Sequence, residues 1–352
     1  MKKTLALLLA ACMGLSLVAC AAAPAPAAAP AAPAASAEAP AESAEPAAEA
    51  AKEVITGSIS HSSAPDSTYD IGAHKFADLV AEYTNGTVQL EVYPSAQLGS
   101  DKEAFEGHRM GSVDFSLPGA SMLSQYKSNV AVFNLPFLFS SREDAYKVLD
   151  SDLAAEIFSS TEEVGVKVLA CLESGFRQVA SSKKPIMSVE DLQGQKIRVP
   201  DGDLYVNTWK ALGVNPTVLA WNECFSALQT GIIDGEEAPM SSFDSAGFSE
   251  IVKYFSFINY MYDPVCLCVS TMFWDQLDAE QQEAVQKAAK EASAFERAYC
   301  LELEQTLQSK LEGEGVSFYE PDLAGFQSAV QSVYDGYADQ ETLKKVLELL
   351  GR

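Results

Sequence analysis

The sequence predicts an α/β body of two lobes braced by one long helix. Three observations carry this: helix and strand signals alternate from Val54 onward, about three hundred residues follow that point, and one helical pattern runs for thirty-odd residues. Alternation of this kind points to a sheet covered by helices, and three hundred residues are enough for two lobes with their own cores. At 1.5 Å per residue the long helix would extend about 50 Å, farther than one small lobe.

Before the body come two segments of another kind. Lys2 and Lys3, the apolar run Leu5 to Val18 and the small residue Ala19 before Cys20 form a secretory signal. The run is too short to cross a hydrocarbon layer of about 30 Å as a helix. Leu17-Val18-Ala19-Cys20 resembles the bacterial lipobox, in which the thiol receives a lipid; an ordinary signal peptide with an incidental cysteine is the alternative. Residues 21–53 are almost wholly Ala, Pro, Ser and Glu, with no large apolar side chain before Val54. Such a stretch cannot bury enough surface to offset its ordering entropy. Its prolines bias it toward an extended tether, about 30 Å as a coil and roughly 100 Å at full stretch.

Within the body, Phe76, Leu79, Val80 and Tyr83 stand at helical spacing in Tyr69 to Tyr83, and Asn85-Gly86 turns the chain. Val88, Leu90 and Val92 then alternate with polar neighbours, as a half-buried strand does. A helix from Asp101 to Met110 and a strand from Val113 to Leu117 follow. Further strands are expected at Val166 to Cys171, Lys196 to Val199 and Val214 to Leu219, with helices at about Leu204 to Leu212 and Asn222 to Thr230. Asp278 and Gln281 form a capping box for the long helix. Val285, Ala288, Ala292, Phe295, Tyr299, Leu303, Leu307 and Leu311 hold one face of it until Gly313.

Composition excludes several functions. Without Lys2 and Lys3 the chain carries 22 Lys and Arg against 49 Asp and Glu, a net −27. Nucleic acid, whose binding depends on neutralising phosphates, is excluded, and so is a body resting on anionic lipid. An anionic ligand would need local positive charge to overcome the long-range field. Five cysteines remain after Cys12 and Cys20; they form no metal motif and read as small buried hydrophobes, with one disulfide left open. His61, His74 and His108 lack the spacing of a zinc site, so no metal or cofactor is expected. There is no G-x-S-x-G, Walker loop, G-x-G-x-x-G or H-E-x-x-H. The carboxylates read mostly as solvated helical faces, and an enzyme is not expected.

Several segments together resemble the substrate-binding proteins of tripartite ATP-independent periplasmic (TRAP) transporters. They are Val92-Tyr93-Pro94-Ser95-Ala96-Gln97-Leu98-Gly99, Leu135-Pro136-Phe137-Leu138-Phe139, Gly175-Phe176-Arg177, Pro185-Ile186, Asp191-Leu192-Gln193-Gly194, Lys196-Ile197-Arg198-Val199-Pro200, Ala227-Leu228-Gln229-Thr230-Gly231, Asp234-Gly235 and Lys253-Tyr254. They keep the family's order and spacing from about Val54 to Leu311. The resemblance implies a two-lobed periplasmic-binding-protein fold, type II-like, with crossing strands and the long helix spanning both lobes. It places residues 54–174 with 263–303 in the first lobe and 175–262 with 304–352 in the second. It also implies closure on a small organic acid and delivery to a TRAP membrane permease, by a monomer held at the membrane only through lipid on Cys20.

The family's arginine in K-x-R-V-P grips the ligand carboxylate, and that residue here is Arg198. A guanidinium stays charged and offers a planar fork for two parallel hydrogen bonds. Two readings stand for Arg177, a second ligand contact or an interlobe ion pair, and two for Trp221, a pocket wall or plain core. His61, Tyr69, Gly119 and Tyr260 are further candidates. Where the family commonly has D-G-Q-E-N-P, this chain reads Asp234-Gly235-Glu236-Glu237-Ala238-Pro239, so Ala238 cannot supply the asparagine's hydrogen bond. The rivals are a receptor feeding an ATP-driven importer or a sensor kinase, a lipoprotein hydrolase, and a surface adhesin.

Overall fold

The structure, a computed structural model, describes residues 53–352. The signal sequence, Cys20 and the tether as far as Lys52 lie outside the described residues. Nine strands form one sheet: β1 (Ile55–Ser60), β2 (Val88–Tyr93), β3 (Phe115–Ser116), β4 (Val166–Ser181), β5 (Ile197–Val199), β6 (Thr217–Val218), β7 (Gly235–Ala238), β8 (Tyr254–Ser270) and β9 (Ser317–Tyr319). The helices around it include α1 (Thr68–Tyr83), α2 (Asp101–Met110), α3 (Arg142–Leu149), α4 (Asp203–Ala211), α5 (Cys224–Gln229), α6 (Met240–Ser245), α7 (Ala279–Gly313) and α8 (Gln340–Leu350).

The strand order β2-β1-β3-β8-β4-β7-β5-β6 has the same plan read from either end. β1 runs parallel to β2 and β3, β5 runs parallel to β6 and β7, and the long antiparallel pair β4 and β8 lies between the two triplets. Each triplet with its helices makes one lobe, and the two long strands cross from one to the other. Ile59, Phe76, Phe115, Val269, Val285 and Ala292 pack in the core beside the first triplet. Phe243, Phe248, Phe255, Leu307 and Leu311 pack in a core beside the second. The long helix α7 therefore contributes to both cores. At the C-terminus, Leu343 and Val346 of α8 share a core with Val148 and Leu149 of α3.

Local chemistry explains the element boundaries. Ser67 and Ser100 cap α1 and α2, the latter in a full capping box with Glu103. Asp278 and Gln281 do the same for α7. Strands β3 and β6 are only two residues long, shorter than the sequence pattern, whereas β4 continues past Cys171 to Ser181. Register breaks between Glu173 and Phe176 and between Arg177 and Val179 interrupt the alternation that would have marked this continuation. Gly175 sits in the first break at φ +97, where a Cβ would meet Glu304 Oε1 at 3.3 Å and Arg142 Nη2 at 3.5 Å.

One predicted face of α7 is corrected. Phe295 is 42 % exposed, with the Lys75 ammonium over its ring, and Tyr299 is only half-buried. The buried stripe instead turns through Ser293, Glu296 and Cys300. The reason lies in β4, whose ladder with β7 involves only Gln178 to Ser181. The earlier part of that edge has no neighbouring strand, so its backbone polar groups need side-chain partners. Helix α7 supplies them: Gln286 donates to the Leu169 carbonyl (2.8 Å), and Ser293 and Arg297 donate to that of Cys171. Glu296 accepts from the Glu173 N–H at 2.8 Å. Cys171, Cys224, Cys266, Cys268 and Cys300 are all buried free thiols. No helix of the described residues is long and apolar enough to cross a membrane.

Candidate ligand-binding site

The C-terminal ends of β1, β3, β5 and β7 converge on one cavity, where open parallel sheets place their ligands. Ser62, Tyr69, Asp101, Gly119 and Ser121 line it from the first triplet's side. Ser174, Arg177 and Asp263 line it from the crossing strands, and Arg198, Trp221, Ala238 and Ser242 from the second triplet's side. It measures about 70 Å³. At ~10–15 Å³ per water-sized sphere, it holds about five to seven waters, enough for a small acid and too little for a peptide.

Arg198 is 3 % exposed, at the centre of β5. Its Nε and Nη2 donate to the Leu219 carbonyl at 3.0 and 2.7 Å, and its guanidinium lies 5.4 Å from the centre of the Trp221 ring. It has no ion pair, and its Nη1 no acceptor, among the described residues. A buried cation without a counter-ion is costly unless an anion joins it. Trp221 meanwhile packs on Phe248 at 5.2 Å, so it serves both the cavity wall and the core.

Arg177 differs. Its Nε and Nη2 grip the Glu237 carboxylate at 2.5 and 3.0 Å, Nη2 also donates to the Glu237 carbonyl, and Nη1 reaches Asp263 at 3.3 Å. Its charge is thus matched by the protein, and the Tyr205 ring lies beside it at 5.2 Å. Tyr260 is fully buried, donates its hydroxyl to Glu237 and packs on Trp209, and it does not line the cavity. It orients the carboxylate that holds Arg177.

On the first triplet's side, the Tyr69 hydroxyl donates to Ser174 at 3.1 Å, and burial pushes its pKa up. Asp101 accepts from the Ser62 hydroxyl at 2.8 Å through Oδ1; its Oδ2 has no partner among the described residues. Burial raises the pKa of Asp101 and of Asp263, the latter also held by Asn134 at 2.9 Å. A Cβ on Gly119 would meet Asp263 Oδ2 at 3.0 Å, which accounts for glycine there. His61 does not line the cavity: it is buried behind it against Asp70 at 3.1 Å, and burial lowers its pKa.

Arg198, Arg177, Trp221, Ala238, Tyr69 and Gly119 therefore meet in one place, and His61 and Tyr260 stand one layer back. Asp101 and Asp263 escaped the reading of the sequence. Asp263 carried a usable signal, since one carboxylate inside the apolar run from Tyr260 to Val269 must be buried and therefore partnered. Asp101 carries no such signal, since an acid in the first turn of a helix is ordinary. A larger groove of about 710 Å³, lined by Asp150, Lys167, Cys171 and Arg297, lies elsewhere. Arg297 there pairs with Asp150 and Lys167 with Glu162, and the remaining cation of its lining, Lys290, is exposed, so among the described residues the groove has no buried unpaired cation comparable to Arg198.

The family of bacterial extracellular solute-binding proteins, family 7, matches residues 59–341. The C4-dicarboxylate-binding periplasmic protein DctP of Rhodobacter capsulatus is 31% identical over 82% of this chain and 88% of its own. A TRAP periplasmic solute-binding protein of Chromohalobacter salexigens, solved with bound D-glucuronate, superposes with a TM-score of 0.80 at 30% identity, over 83% of this chain and 99% of that one. Another, from Polaromonas sp. JS666 bound to D-erythronate, gives 0.81 at 29% identity, over 84% and 98%.

Proposed function

Since the chain belongs to the bacterial extracellular solute-binding proteins of family 7, we propose that it receives a small organic acid between its lobes and hands it to a TRAP permease. The acid's carboxylate sits on Arg198, under Trp221, and Asp101 takes a hydroxyl of the same molecule. Residues 54–174 with 263–303 form one lobe and 175–262 with 304–352 the other, and they close by motion at the crossing strands. The protein works as a monomer without turnover, outside the cytoplasm, tethered by lipid on Cys20.

The observation that supports this reading is the buried guanidinium of Arg198, which makes no ion pair among the described residues. The charge beside it narrows the acid. An additional carboxylate would meet Asp101, whereas a hydroxyl could donate to its Oδ2. Polyhydroxylated monoacids are therefore favoured over C4-dicarboxylates, and Ala238 leaves the asparagine's share of the contacts to the serines.

Thermal unfolding with D-glucuronate, D-erythronate and succinate tests this. A ligand of the folded state at a hundred times its Kd adds about 2.7 kcal/mol, which is a midpoint gain of about 4–5 °C for a body of this size. The sugar acids should shift the midpoint more than succinate does. No shift with any of the three would sink the reading, and a larger shift with succinate would remove Asp101 from it.

A further inference from the structure

Glu236 takes part in none of the contacts above. It is fully buried, and neither carboxyl oxygen has a hydrogen-bond partner among the described residues. It stands on β7 in register with Arg198 on β5, and register partners on parallel strands carry their side chains on one face. Ala238, two residues on, shares that face and lines the cavity. An orphan carboxyl thus lies one strand across from a guanidinium that makes no ion pair among the described residues. The other titratable or charged groups acting on it are Glu237 on its own strand, Arg177 on β4 and the Cys224 thiol on α5.

These neighbours give Glu236 two states of similar free energy. Arg198 and Arg177 favour the carboxylate, while burial and Glu237 favour the neutral acid. A ligand carboxylate on Arg198 cancels that cation's field and adds a negative charge close by. The filled site therefore disfavours ionised Glu236 more than the empty one does.

We propose that Glu236 makes capture of the acid proton-linked: the anion on Arg198 and a proton on Glu236 are bound together. The proposal rests on the reading of Arg198 as the carboxylate clamp. Burial first, then Glu237, raises the Glu236 pKa to about 8 in the empty site. A bound anion raises it further, so affinity is full below that value and falls as pH rises through and beyond it, until the filled site also ionises. Glu236→Gln fixes the side chain in its neutral form, and glutamine is the residue common at this position in the family the sequence resembles.

Calorimetric titration of the full chain with D-glucuronate, D-erythronate and succinate in turn, from pH 6.5 to 9.5 in two buffers of different ionisation heat, tests the linkage. Proton uptake per bound acid should be near zero at pH 6.5 and approach one near pH 9, with Kd weakening up to about tenfold per pH unit above about 8. Glu236→Gln should bind at the low-pH affinity throughout and take up no proton. An acid that binds without proton uptake at pH 9 overturns the linkage alone. A Glu236→Gln profile identical to the wild type's also overturns it, by assigning the proton to another group such as Asp101 or Asp263. Binding of none of the three acids overturns the clamp and the linkage together.

Discussion

Arg198→Ala is expected to weaken binding of the acid by about 2–5 kcal/mol, roughly 30- to 5,000-fold in Kd. Much of that loss comes from leaving the ligand's carboxylate desolvated without its partner, beside Asp101 and Asp263. Lysine should recover only part of it, because a point charge cannot make the two parallel hydrogen bonds of a planar fork. Arg198 also holds the Leu219 carbonyl and stacks on Trp221, so the measurement needs a control for folding. Calorimetric affinity and the ligand-free unfolding midpoint together provide it. Unchanged affinity in a folded alanine variant would refute the clamp.

The second large effect concerns stability and pH, at the crossing strands. Glu296 is fully buried in α7; its Oε2 accepts from the Glu173 N–H, and its Oε1 lies 3.0 Å from the Cys300 sulfur. Burial raises its pKa to about 8. Its ordinary value in an unfolded chain is ~4.3. The native state therefore binds a proton there that the unfolded state has released, across the window from about 4.5 to about 8. Its contribution to stability is fully present below that window and is lost as pH rises through it. Glu296→Gln keeps an acceptor for Glu173 and never ionises. The variant should match the wild type near pH 4.5 and, since about 3.7 units at 1.36 kcal/mol each is roughly 5 kcal/mol, exceed its unfolding midpoint by about 7–8 °C at pH 8.5. A midpoint difference that does not change with pH would contradict this account. Glu236 contributes in the same direction, so the Glu296→Gln variant should still lose some stability as pH rises.

The parts of this fold legible in the sequence are those decided by neighbours along the chain. Apolar residues at helical spacing and the capping box at Asp278 mark α1 and α7 to within a residue or two. The crossing strands were harder to read because their pattern is set across the sheet. Buried on both faces and broken by register shifts, β4 shows no steady alternation after Cys171. Nothing near Glu296 along the chain marks it for burial, because only the open edge of β4, distant in sequence, gives it a reason to be buried. The same distinction runs through the site. Arg198, Trp221 and Ala238 could be read from short segments, whereas Arg177 turned on partners at Glu237 and Asp263, which decide that its charge is already matched. Asp101 meets Arg198's field only through the fold, across the cavity.

A crystal structure of the chain grown with whichever acid raises its midpoint most is the most direct test of the central claim. The account predicts a carboxylate oxygen within about 3 Å of Arg198 Nη1. It also predicts Trp221 against the ligand, a ligand hydroxyl on Asp101, and residues of both lobes enclosing the molecule. An acid found in the groove beside Arg297, or in this cavity with its carboxylate turned away from Arg198, would contradict it.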